Sequence, residues 1–214
     1  MLYLKRLFVL LIFVTISSGS ASAVDVDLGA SIKEGKLEGF YLAIEKHYDV
    51  SDREIKHVRA ARIGDEELPV VFFLAQKAKV RPSDIIMRRL RGHSWMDITL
   101  HFGLHAEIYH VAFERDPGPP YGRAYGHYKK HERKQWSKIR LDDEEIINWV
   151  NLRFLSDHYR WPVDEVAAMR GKGHGFADIN SEIKKARHKK EKKMAESDMK
   201  GKAEKKGNEK NKKK

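Results

Sequence analysis

One pattern returns three times along the chain and restricts the fold more than any other feature. Tyr41 to Ile55 reads YLAIEKHYDVSDREI, Phe73 to Ile86 reads FLAQKAKVRPSDII, and Phe154 to Val166 reads FLSDHYRWPVDEV. Each copy opens aromatic-Leu-small, reaches Val50, Val80 or Trp161, and five residues later places Ile55, Ile85 or Val166. Apolar residues at helical spacing on both sides of a short polar break describe a helix, a tight turn and a short second helix. An arginine follows (Arg59, Arg89, Arg170), then a glycine (Gly64, Gly92, Gly173), then the next helix. Each unit's closing helix can open the next unit, which is the logic of an array. The expectation is an all-α fold of three helix-turn-short-helix units, near residues 41–66, 73–112 and 152–180, within one domain spanning 38–180. The first copy fits the glycine phrase only with an inserted residue.

Local signals agree with this reading. Phe40, Tyr41, Leu42 and Ile44 begin a helix ending near Tyr48, and Ser51 with Glu54 three residues on forms a capping box for the next. LPVVFFLAQKA, Leu68 to Ala78, has a strand-like start but continues at helical spacing, so it is expected to be a helix with Pro69 in its first turn. Another helix restarts after Asp142 and Asp143 and runs through Ile146, Ile147, Val150, Leu152 and Phe154. Between the second and third units, residues 115–140 read as an irregular loop rich in proline, glycine and tyrosine.

The two ends differ from this body. MLYLKRLFVLLIFVTISSGSASA has a positive start, an apolar run from Leu7 to Ile16 and a closing Ala-x-Ala, the makings of a secretory signal peptide over residues 1–23. A short lead-in, 24–37, precedes the domain. Residues 181–214 hold 15 Lys or Arg against 6 Asp or Glu, a net of +9. With almost no large apolar residues after Met199, this basic, low-complexity segment is expected to be a mostly disordered tail. The whole chain carries +11, of which the leader supplies +2, so residues 24–180 are neutral and the basicity belongs to the tail. No other stretch approaches the length of a membrane span. The expected location is therefore the periplasm or the extracellular space. The chain has no cysteine, which excludes disulfides, thiolate zinc sites, thiol catalysis and covalently attached haem c.

A phrase written twice is the strongest motif. RGHSWMDI, Arg91 to Ile98, returns as KGHGFADI, Lys172 to Ile179. Ser94 is a natural N-cap, and Asp97 at the third helical position can reach back to the cap amide; Asp178 holds the same position after Gly175. Trp95, Ile98, Phe176 and Ile179 then read as core anchors. His93 and His174, identical in both copies, are left unexplained by capping.

The segment Asp97-Ile98-Thr99-Leu100-His101-Phe102-Gly103-Leu104, followed by Ile108, resembles the helix-turn-helix family over Trp95 to about Phe113. That resemblance implies a recognition helix near His105, Ala106, Glu107 and Tyr109, and with it nucleic-acid binding. Histidine offers a second route to function. His101 with His105, and His127 with His131, are four apart, the spacing that puts two imidazoles on one helix face for a metal. The loop offers a third, with Tyr121, Tyr125, Tyr128 and Trp136 interleaved among Arg123, Lys129 and Lys130, a composition suited to sugars, bases or anionic groups. Its plainer alternative is that the tyrosines pin the loop to the body.

No GxSxG, GxxxxGKS or HExxH occurs, and one acidic residue per repeat does not make a general acid-base pair. The sequence therefore leans away from enzymes and cofactors. It favours an exported interaction protein whose tail and loop meet an anionic polymer or envelope protein, ahead of a histidine-based metal sensor or a nucleic-acid binder.

Overall fold

Three long helices of the body end in the same way. In the computed structural model, which describes residues 22–211 and the side chains of 32–196, α1 (Ser22–Tyr48), α3 (Leu68–Ala78) and α7 (Asp143–Tyr159) each close on a left-handed residue. These residues are Asp49, Lys79 and Arg160, with φ of 53°, 56° and 51°. The amide two residues past each helix then donates five residues back: Val50 to Glu45 O (3.1 Å), Val80 to Ala75 O (3.0 Å) and Trp161 to Ser156 O (2.9 Å). This is the wrapped helix end in which a left-handed residue lets late amides satisfy orphan carbonyls. It also tucks Val50, Val80 and Trp161 against the core, which is why an apolar residue recurs there.

Nine-residue helices follow each turn: α2 (Asp52–Ala60), α4 (Pro82–Leu90) and α8 (Val163–Gly171). They end on a second left-handed residue, Arg62, Gly92 or Gly173, three positions after Arg59, Arg89 or Arg170. Aligned on that conformation, the three copies need no insertion. Gly64 is not the counterpart of Gly92 and Gly173; with φ −63° and ψ 150° it holds the cap position of Ser94 and Gly175. In the first copy the left-handed residue is an arginine where the other two have glycine.

The expected capping boxes form at Ser51 with Glu54 and at Ser94 with Asp97, and a third forms at Asp142 with Glu145. The helix predicted over Leu68–Ala78 forms with those bounds, Pro in its first turn. Helix α7 has buried residues on most of its circumference, including Ile146, Trp149, Val150, Leu152, Phe154 and Leu155, and packs against α1, α3, α5 (Trp95–His101), α8 and α9 (Phe176–Asn211). The repeated units thus close around one axis, and no strand occurs among the described residues.

Three boundaries differ from expectation. The lead-in 24–37 is the first part of α1, which runs back to Ser22; the proposed leader, 1–23, lies outside the described residues except for Ser22 and Ala23. The segment 115–140 is not irregular throughout, since it contains α6 (Gly122–Lys130) and a 3-10 helix, Arg133–Lys138. The tail also differs: α9 continues through 181 without a break and runs to Asn211, so the segment expected to be mostly disordered is helical over 181–211, with Ile183 only 1% exposed against the body. Its early turns are held by α1, so packing supplies what helix propensity alone does not.

Candidate anion-binding site

An acidic triplet, Asp65-Glu66-Glu67, forms a 3-10 turn between α2 and α3, and each member takes the arginine of a different unit. Arg59 Nε lies 3.6 Å from Asp65 Oδ1, Arg170 Nη2 is 3.1 Å from Glu66 Oε2, and Arg89 Nη2 is 2.6 Å from Glu67 Oε1. Every guanidinium also covers an aromatic ring, Tyr41 at 4.5 Å, Phe176 at 4.4 Å and Trp95 at 4.6 Å. The Phe176 amide donates to Glu66 Oε1 at 3.1 Å, and the Trp95 indole donates to Glu67 Oε1 at 3.0 Å. The starts of α5 and α9 are thereby fixed to one short turn.

This arrangement accounts for the twice-written phrase. His93 and His174 sit three residues past their helices, where their amides donate back to Arg88 O (3.3 Å) and Met169 O (3.4 Å). Their carbonyls accept Nη1 of Arg89 and Arg170, both at 3.2 Å. Those tasks belong to the backbone. The His174 imidazole adds a 3.1 Å contact to Glu182, whereas His93 is exposed. The aspartates diverge: Asp97 caps its own helix, and Asp178 takes Lys36 of α1 at 2.6 Å. Trp95, Ile98, Phe176 and Ile179 are fully buried, as expected of anchors.

Anchored in this way, α9 runs beside α1 and leaves a groove with a cavity of about 280 Å³. Lys46 comes from α1, His158 and Tyr159 from the end of α7, and Lys184, Arg187 and His188 from successive turns of α9. The single carboxylate on its lining is Glu191, 3.4 Å from Arg187 and 3.8 Å from His188 Nδ1. Between residues 181 and 196 the helix carries seven Lys or Arg against three Glu, so the groove opens onto a basic shaft. Leu42, 49% exposed, adds an apolar edge.

Protonation matters at this seam. Burial lowers the His47 imidazole below its ordinary value against the pull of Asp157. Burial also lowers His158, helped by His47, Lys46 and Arg187. Their rings lie 5.9 Å apart. A histidine whose folded pKa is depressed leaves the unfolded chain binding protons more readily, so its stability contribution is whole above about pH 6.5 and is lost as pH falls below it. The urea midpoint is expected to be lower at pH 5.5 than at pH 7.5, with a smaller difference in H158Q. A midpoint unchanged or raised at pH 5.5 contradicts this.

The other sequence candidates are dispersed. His101 is the last residue of α5 and His105 caps a 3-10 turn beyond Gly103; His127 lies within α6, but His131 is its extended C-cap. Both pairs are split by helix ends, and no group of three or more His, Asp or Glu able to hold a metal occurs among the described residues. After Gly103 the chain makes the single 3-10 turn Ala106–Tyr109, with Ala106 and Tyr109 buried and the Tyr109 hydroxyl 2.5 Å from Thr99 Oγ1.

In the loop, Tyr121 and Tyr128 are buried and Tyr125 is half-buried. Trp136 Nε1 donates to Tyr128 O (3.2 Å) and His131 O (3.0 Å). Arg123 pairs with Asp142 at 2.9 Å, while Lys129 and Lys130 are exposed. The tyrosines serve mainly as pins. The acidic triplet and the groove were missed from sequence; three acids before a helix look like ordinary first-turn charge, and the groove joins residues about 140 positions apart.

No helix among the described residues is long and apolar enough to cross a membrane. Comparison with protein-family models, curated proteins and solved structures finds no match for the chain.

Proposed function

We propose that this is an exported, non-enzymatic interaction protein that holds an anionic polymer along α9 and in the groove at its root. The observation that carries the reading is segregation of charge. Residues 24–180 are neutral, whereas Lys46, Lys184 and Arg187 line a groove with one opposing carboxylate and open onto a helix with net positive charge. Such a surface binds polyanions by displacing their counterions, with strong salt dependence and little selectivity for sequence. The leader expected over residues 1–23 supports an envelope or extracellular setting for that partner.

Elution of the protein from heparin resin tests the reading. The double variant K184E/R187E is expected to elute at clearly lower salt than the parent, while R53E, on α2, elutes near the parent. Equal elution of all three removes the groove from the function, and failure of the parent to bind removes the proposal.

A further inference from the structure

Most arginines that tie the body together meet a carboxylate: Arg59, Arg89 and Arg170 at the acidic triplet, Arg81 at Asp84, Arg123 at Asp142. Three other cations do not. Lys77 from α3, Arg153 from α7 and Arg133 from the 3-10 helix line one cavity of about 490 Å³, together with Glu107, Ile108, His110 and Trp136. None of the three forms an ion pair among the described residues. Glu107 is the one carboxylate on the lining and is exposed.

The walls are prearranged. Arg153 is half-buried; its Nη2 donates to the His110 carbonyl, and its guanidinium stands 6.0 Å from the Phe73 ring. The His110 imidazole stacks on Trp136 at 4.4 Å and also meets Tyr128 and Trp149, while Arg133 lies 5.7 Å from the Trp136 ring. Burial lowers the His110 pKa, and Arg153 and Arg133 lower it further. Like charges converging from three elements repel one another unless an anion joins them. Preformed cavities with a few convergent polar groups are the usual form of small-ligand sites.

We infer that this cavity is a binding site for a compact oxyanion, a phosphate or sulfate group, held by Lys77, Arg133 and Arg153 beside the His110 imidazole. Arg153 sits as a fixed fork at the floor, and Lys77 and Arg133 close from the rim. An oxyanion there offsets the repulsion among the cations and accepts hydrogen bonds that the guanidinium and ammonium groups can supply. This site is separate from the α9 groove and does not depend on its function.

Its test follows the His110 imidazole by NMR in the full chain, titrated with inorganic phosphate, inorganic sulfate and glucose 6-phosphate, with sodium chloride at matched ionic strength as the control. Saturable shifts are expected, with a rise of about one unit in the His110 pKa at saturation, because a bound anion favours the imidazolium. R133Q and K77Q, both at exposed positions, are each expected to weaken binding about tenfold or more, the scale of one charge-assisted hydrogen bond, and R153Q more so. If R153Q does not fold, the two exposed variants decide alone. A response to the inorganic ions as strong as that to the sugar phosphate identifies a free oxyanion as the ligand; a preference for the ester identifies an organic carrier. Shifts that chloride reproduces, that persist in K77Q/R133Q, or that never appear overturn the inference.

Discussion

Replacing Glu67 by alanine is expected to lower the unfolding free energy by about 2–3 kcal/mol, a large share of a small domain's stability. The Glu67 carboxylate is only 19% exposed, and its Oε1 accepts from Arg89 Nη2 (2.6 Å), Arg89 Nε (3.2 Å) and Trp95 Nε1 (3.0 Å). Removing it leaves an indole N–H without its acceptor and a guanidinium, 21% exposed, with only Asp143 and the His93 carbonyl. Breaking a fully buried pair costs about 3–5 kcal/mol, and the remaining exposure to water brings the figure down. Urea unfolding measures the change. A double-mutant cycle with R89M isolates the pair, for which a coupling above about 1 kcal/mol is expected. A loss below about 0.5 kcal/mol in E67A shows that the acidic triplet does not hold the units together.

The second large effect is expected at Trp149, which is fully buried on α7. Its ring lies 5.2 Å from Tyr128, 5.7 Å from Phe113 and 6.1 Å from His110. Truncation to alanine removes the floor on which the 110–140 segment rests, at a cost of about 3–5 kcal/mol. The loss is local as well as global. Trypsin is expected to cut W149A near Lys129, Lys130 and Arg133 under conditions where the parent chain resists, because those sites lie on the segment that loses its support. A loss under about 1.5 kcal/mol, or cleavage no faster than in the parent, means that the loop is held elsewhere.

What the residues disclosed in advance and what they withheld divide along a physical line. Local rules were readable: capping boxes at Ser51 and Ser94, the helix from Leu68 to Ala78 and the restart at Asp142 each depend on residues within one turn of one another. The repeat was readable because apolar positions recur wherever a helix end must bury one. Its register in the first unit was not, because Arg62 takes a left-handed conformation usually given to glycine. The loop misled for a different reason. Tyr121 and Tyr128 among lysines resemble a binding surface in sequence, and only the packing of α6 against Trp149 and Phe113 turns those rings inward. The groove and the oxyanion cavity were both invisible, since the first gathers residues from three elements distant in the chain and the second from four. His93 and His174 illustrate the limit well: their backbone atoms do the work shared by the two copies, which side-chain chemistry alone does not reveal.

The groove at the root of α9 carries the functional account, and the salt dependence of heparin binding probes it most directly. With a heparin oligosaccharide titrated into the full chain at several salt concentrations, the logarithm of the association constant is expected to fall linearly with the logarithm of salt, because each cation engaged releases counterions. In a chain with Lys46, Lys184 and Arg187 all changed to glutamine, the slope is expected to shrink by about 2–3, roughly one for each cation removed. A slope identical to that of the parent contradicts the account.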